Sequence, residues 1–457
     1  TSATPTTSAG TGSASASSSS TSGPDDPTTG TTTAGTSGTT TSTTTSSDTT
    51  ADTDDTTTGG LDGFLIGVHV ADVSPNQAHL AKNVYMGAYG APYTRGPAQG
   101  VHDPIYARSF AIEAPGGGII LAIVDLPGMG NQNTRAVRKM VAEMTGLDEN
   151  QVLVGSTHSH SAHDLMGLWG GVPGDYRDFV NTEIAMSMAA AWDSRVPATL
   201  RVGTGKAPAN NRRDWGFTDD DMVILDAHDL QGNRIGTLVN FAAHPVILGE
   251  DNKLISCDYT GYTVQKLEAA LGAPASLFNG TLGDATPKVP PGNYADDFAR
   301  AQAYGELLAD IALDILETTE PVDPTLVWAY TSWEQQVDNL LFQLAAGLGI
   351  LQYDFEQMLL TQYVTTQSTY FRLGTQVQAV AFPGESLTRN GLAIKEVMKA
   401  PHKMILGNTG DALGYFVPSD EWQTGKNDNY EETVSLGKTA GDTARDNINA
   451  LIVADEF

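Results

Sequence analysis

Residues 119–124 read Ile-Ile-Leu-Ala-Ile-Val, and residues 151–155 read Gln-Val-Leu-Val-Gly. Between them, residues 133–145 carry apolar side chains at helical spacing, and Gly146 follows. Short apolar runs bounded by loops read as buried strands, and the spacing between them reads as an amphipathic helix closed by glycine. Further along, 222–225, 237–241 and 377–382 repeat the strand character and 179–192 repeats the helical one. The alternation predicts an α/β fold of α+β sandwich type, a mixed β-sheet core flanked by helices. From residue 61 onward it is expected to form one large domain, 61–457, closed by a helix over 431–452.

Residues 333–364 break this rhythm. Apolar residues recur at helical spacing from Asp338 and again from Phe355, predicting a small helical insertion, a hairpin packed on the core. The alternative is a lid or apolar wall beside a lipid-sized site.

The first 60 residues hold 37 Ser or Thr, six Asp, no Lys or Arg, and no apolar side chain larger than Ala or Pro. Such a segment cannot bury enough apolar surface to offset its conformational entropy, so a disordered tail is expected. Its composition resembles an extracytoplasmic stalk. The expectation is therefore a secreted or cell-surface tethered protein whose targeting peptide has been removed, with a plain flexible linker as the alternative.

The formal charge is −29, and setting the six tail aspartates aside leaves 48 acidic against 25 basic side chains. That field repels phosphate backbones, which argues against nucleic acid as a partner and favours cations. The single cysteine, Cys257, rules out an intrachain disulfide framework and a cysteine-based zinc site. Any metal must be held by His, carboxylate or Tyr.

Three of nine histidines fall within six positions, in Ser156-Thr-His-Ser-His-Ser-Ala-His163. They follow a strand-like run, and in extended chain residues i and i+2 share a face, so His158 and His160 can address one cavity. A second run, Gly236-Thr-Leu-Val-Asn-Phe-Ala-Ala243, ends in His244, which reads equally as a ligand or a core histidine. A third ends in Pro383-Gly-Glu385, where the carboxylate either serves a helix that Ser386 could cap or points into a site. Together His158, His244 and Glu385 are two imidazoles and a carboxylate, the donor set of a hydrolytic zinc with an open position.

These segments resemble the neutral, non-lysosomal ceramidase family. The family's motifs appear in order as Gly100-Val-His, Thr157-His-Ser-His-Ser161, Asn211-Arg-Arg-Asp214, His244-Pro with Leu254-Ile-Ser-Cys-Asp258, Gly283-Asp-Ala-Thr-Pro-Lys288, Pro383-Gly-Glu385 and Tyr415-Phe-Val-Pro. The resemblance covers roughly residues 63–435. It implies Zn2+ held by His158, His244, Glu385 and Tyr415, and catalytic roles for His160, Arg212 and Tyr430. It implies substrate-binding roles for Thr286 and Asp258, Thr286 standing where the family has serine.

Of Arg212 and Arg213, only one can face the site, and the motif register favours Arg212. Two departures fall at the site: Ser161-Ala-His-Asp-Leu165 brings His163 and Asp164 near the metal, and Asn-Arg-Arg-Asp alters the charge beside the arginine. The chain also stops at Phe457, without the immunoglobulin-like domain that continues family members.

The resemblance implies a zinc-dependent amidohydrolase that cleaves the N-acyl amide of ceramide or a related lipid-like amide. The expected partners are that small-molecule lipid and, peripherally, a membrane. The rivals are a zinc esterase or amidase for a smaller, more polar substrate, and a non-catalytic surface-tethered binding protein on the same fold.

Overall fold

The computed structural model describes residues 62–457 apart from Ala91, Leu359 and Leu360; the expected stalk over 1–60 lies outside the described residues. The larger sheet is nine-stranded and mixed. Its order runs Ala275–Asn279, Arg234–Phe241, Asp221–Asp229, Val196–Lys206, Phe64–Asp72, Tyr106–Ala114, Gly117–Val124, Val152–Ser156, with Glu320–Pro321 joined to Val196–Lys206. The middle is antiparallel, but both ends are parallel pairs, Ala275–Asn279 beside Arg234–Phe241 and Val152–Ser156 beside Gly117–Val124. A five-stranded sheet built on Leu326–Val337, Thr361–Leu373, Val377–Ala381 and His402–Leu406, with Phe355–Met358 at its side, ends in another parallel pair.

Side-chain alternation decides how the sheets stack. Ile112, Leu121, Leu200, Leu225 and Leu238 from the large sheet meet Phe371, Leu373, Val377, Ala379 and Met404 from the small one in a shared core. The opposite face of the large sheet is covered by helices Asn131–Thr145 and Gly174–Asp193 at one side and Tyr259–Leu271 and Asp297–Leu316 at the other. Helices Thr388–Val397 and Ala440–Val453 cover the far face of the small sheet. The result is a four-layer α/β/β/α sandwich, the mixed sheet core flanked by helices that the sequence predicts. No helix among the described residues is long and apolar enough to cross a membrane.

Three expectations need correction. The 333–364 insertion is not a helical hairpin: the long strand Leu326–Val337 runs through its start, only Leu340–Gly347 is helical, and Phe355–Met358 and Thr361–Leu373 return as strands. Twelve register pairs between Leu326–Val337 and Thr361–Leu373 outweigh the local helical spacing. The helix over 431–452 is broken into Tyr430–Thr433 and Ala440–Val453, because Val434 accepts from the Tyr415 amide and Gly437 takes φ 153°. Finally, Ser386 does not cap Thr388–Val397; the Thr388 amide and hydroxyl both donate to Asp284 Oδ1 at 2.7 Å.

Candidate metal centre

The carboxyl ends of the parallel pairs meet at one place, where loops leaving both sheets assemble a site, as expected for α/β sheets. Strand Val152–Ser156 delivers His158 and His160, strand Arg234–Phe241 delivers His244, and strand Val377–Ala381 delivers Glu385. Glu385 and Tyr415 are partners in a two-stranded parallel ladder, Glu385–Ser386 with Tyr415–Phe416, which places them side by side. Gly414 before it takes φ 78°, and a Cβ there would lie 2.2 Å from the Val434 carbonyl.

The histidines converge by another route than extended chain. His158 adopts φ 67°, a left-handed conformation that is uncommon and costly without glycine and that clusters at functional sites. The His160 amide donates to the Pro245 carbonyl at 3.0 Å, tying this loop to the one carrying His244. The Nε2 atoms of His158 and His160 end 3.1 Å apart. His158, His160 and His244 are buried, with ligand atoms all within 4.8 Å of one another.

Hydrogen bonds fix which ring nitrogen faces inward. His158 Nδ1 lies against the Pro127 carbonyl and His244 Nδ1 lies 3.1 Å from the Ala285 carbonyl. A carbonyl only accepts, so both Nδ1 atoms are donors and both Nε2 atoms of the neutral rings present lone pairs. Those lone pairs face Glu385 Oε2, at 3.3 Å from His158 and 3.0 Å from His244.

Burial, then the nearby Arg212 charge, pushes the His244 pKa down to about 4 despite Glu385. Burial works against the charged form of Glu385, but His158 and His244 hold its carboxyl well below the usual range. Two Nε2 lone pairs aimed at one carboxylate oxygen repel it unless a proton or a cation lies between, so this donor set fits a metal ion. Donors about 2.0 Å from a common centre at tetrahedral angles lie about 3.3 Å apart, which matches these separations. The Tyr415 hydroxyl completes the group 3.3 Å from His244 Nε2; burial holds its pKa well above the usual value, so it stays protonated unless a cation adjoins it.

His160 differs from the other two. Its ring packs edge-on against Tyr89, and its buried Nδ1 has no partner. Burial and the neighbouring histidines hold it well below the usual histidine pKa. Arg212 is the arginine that faces the site: Nε donates to Glu431 at 2.8 Å, Nη2 donates to the Gly283 carbonyl at 2.7 Å, and the guanidinium carbon lies 5.1 Å from the Tyr415 ring centre and 5.5 Å from that of Tyr430. Arg213 points away, fully buried against Glu431 and Glu432. Tyr430 lines the cavity above the site, its ring 6.0 Å from that of Tyr415.

Two residues expected to bind substrate do not line the cavity. Asp258 is the N-cap of Tyr259–Leu271, accepting from the Tyr259 and Leu248 amides, and so anchors the loop behind His244. Thr286 sits in the short ladder with Asn210, outside the cavity. Nor do His163 and Asp164 reach the metal donors: His163 packs against Tyr176, and Asp164 accepts from the amides of Met166, Gly167, Trp169 and Gly171.

One residue escapes sequence reasoning. Asn279, fully buried at the end of its strand, donates to the Thr157 carbonyl at 2.8 Å and the Ala243 carbonyl at 3.0 Å, and accepts from the Ala243 amide. It clips together the segments that carry His158 and His244. Its only signal in the chain is a polar residue ending an apolar run.

The cavity over these donors has a volume of about 280 Å³. Its walls are largely apolar, including Leu168, Trp169, Phe342, Leu351, Phe355 and Leu413. The 333–364 region thus supplies an apolar wall, the alternative reading of that segment.

No family model matches the chain. Against the neutral ceramidase of Drosophila melanogaster it is 22% identical over 281 residues, which takes in 48% of this chain and only 40% of that protein. Among solved structures, the neutral ceramidase from Pseudomonas aeruginosa superposes with a TM-score of 0.71 at 19% identity, covering 88% of this chain and 75% of that one. A ceramidase complexed with C2 gives 0.68 at 18%, covering 86% and 75%. The chain resembles neutral ceramidases in sequence and has their fold.

Proposed function

We propose that this chain is a zinc-dependent amidohydrolase of ceramidase type, cleaving the N-acyl amide of ceramide or a related lipid-like amide to a fatty acid and an amine. The observation that carries the reading is the convergence of His158, His244, Glu385 and Tyr415 beneath an apolar cavity. The likeness to neutral ceramidases in fold and over part of the sequence supports it.

His158, His244, Glu385 and Tyr415 would hold Zn2+, which when bound polarises a carbonyl and activates water near neutral pH. Arg212, held in place by Glu431 and the Gly283 carbonyl, offers a fixed positive charge to the carbonyl oxygen as its negative charge develops. Tyr430, whose hydroxyl burial keeps protonated, offers a donor on the same side. His160 is the one histidine of the cluster without a carbonyl to fix its tautomer. It is suited to carry the proton that the amine takes as the C–N bond breaks. The apolar walls exclude water and accept a hydrocarbon chain.

The test is metal analysis of the purified chain together with hydrolysis of short- and long-acyl amides. About one zinc per chain is expected, with activity lost on chelation and restored by Zn2+, and His158→Ala lowering kcat by on the order of 10³-fold. Metal-free protein whose amide hydrolysis survives His158→Ala would refute the reading. A preference for short, polar acyl groups would move it to the esterase or amidase alternative.

A further inference from the structure

Helix Leu340–Gly347 is apolar on both its inward and its outward side, its single polar side chain, Gln343, turning back to donate to the Val337 carbonyl at 2.6 Å. Inward, Phe342, Ala345 and Ala346 pack on the core, and Phe342 reaches the cavity. Outward, Leu340, Leu341, Leu344 and Leu348 are 65%, 69%, 57% and 74% exposed. A helix that is apolar all round is normally buried, and clustered large exposed side chains mark an interaction surface. Residues 339–353 contain no Asp, Glu, Lys or Arg, in a chain with 54 acidic side chains and a net charge of −29.

We propose that this helix docks the protein on an electrically neutral lipid surface, such as a zwitterionic bilayer. The patch has no cationic side chain to draw it to anionic headgroups, and the field of the remaining chain opposes them, so binding rests on apolar insertion. The face is also continuous with the cavity wall: Phe342 and Leu351 line the cavity, while Leu341, Leu344 and Leu348 beside them face outward. Asn339, which caps the helix, donates to the carbonyls of Thr433 and Ser435, so the helix is fixed to the segment that carries the opposite wall. A cavity of about 280 Å³ is small for a two-chain lipid, so part of the substrate would stay in the bilayer while its amide enters. That last step rests on the proposed amidase reading; the docking does not.

The experiment is co-sedimentation of the full chain with phosphatidylcholine vesicles, with and without phosphatidylserine, at low and high salt. Binding to the neutral vesicles is expected to be insensitive to salt and to weaken when phosphatidylserine is added at low salt. The triple variant Leu341→Gln/Leu344→Gln/Leu348→Gln keeps helix-forming residues at exposed positions, and its circular dichroism should match the parent. It should bind roughly tenfold or more weakly. Leu344→Trp should bind more tightly, and hydrolysis of a water-soluble short-acyl amide should be unchanged in both variants.

No binding to neutral vesicles, or equal binding by the triple variant, would overturn the docking. So would a dimer that the triple variant dissolves without any vesicle binding, since a second copy would then cover the face. Vesicle binding as expected with no amide hydrolysed would leave the docking standing and sink the amidase reading. Hydrolysis without vesicle binding would do the reverse.

Discussion

At the scale of single residues, His158, His244 and Glu385 could be singled out as candidate donors because each follows an apolar run, and a strand's end is where a loop can turn a side chain into a cleft. Tyr415 was not legible from the local pattern, since its place depends on a ladder with Glu385 thirty positions earlier. Asn279 was illegible for the same reason: its partners are the carbonyls of Thr157 and Ala243, joined only by the fold. Conversely, Asp258 and Thr286 matched motifs but serve a helix cap and a short ladder. Asn279 carries a sharp prediction. Asn279→Ala takes the partner from the buried Thr157 carbonyl and the Ala243 amide, while the Ala243 carbonyl keeps the Tyr259 hydroxyl, and should cost about 2–4 kcal/mol in urea unfolding. It also frees the His158 and His244 segments from each other, so zinc affinity should fall by roughly tenfold or more in a competition titration with a chelator. Unchanged affinity in a folded variant would show that the clip does not position the ligands.

At the scale of elements, the strands of the core were readable and the 333–364 region was not. Its helical spacing is real in Leu340–Gly347, but the flanking segments are held as strands by a partner that no local window contains. The segment after the helix is pinned by close backbone approaches at two glycines. A Cβ on Gly130 would lie 2.1 Å from the Gln352 carbonyl oxygen, and one on Gly167 would lie 2.2 Å from that of Ile350. Gln352 in turn donates its amide to Met166 and accepts from the Gln132 amide. Gly130→Ala should therefore push the Leu351–Tyr353 wall outward while leaving the metal donors in place. The expected outcome is faster hydrogen exchange at the Gln352 amide and a KM for long-acyl amides raised several-fold at nearly constant kcat, with about 1–3 kcal/mol of stability lost. A fall in kcat with KM unchanged would mean that the wall supports the metal centre rather than the cavity.

For the molecule as a whole, buried ionisable groups pull the stability curve in opposite directions. Asp411, in the loop between His402–Leu406 and Tyr415, is buried with one oxygen accepting from Thr366 at 2.9 Å and the other unpartnered. Burial raises its pKa from 3.8 to about 7. A folded pKa above the unfolded one means the folded chain holds an extra proton between about pH 4 and 7, so this group's favourable term is complete at low pH and lost as pH rises through about 7. His163 acts oppositely: burial lowers its pKa to about 3, so its term grows as pH rises toward 6.5 and is complete above that. The two largely offset each other between pH 4 and 6.5, leaving Asp411 exposed as a liability above it. Asp411→Asn keeps an acceptor for Thr366 and removes the charge. It should stabilise the protein at pH 8 by up to about 4 kcal/mol, by less at pH 6, and by nothing near pH 3.5, as read from thermal midpoints across that range. A gain independent of pH would mean that the asparagine acts through packing and that the buried carboxylate is solvated when ionised.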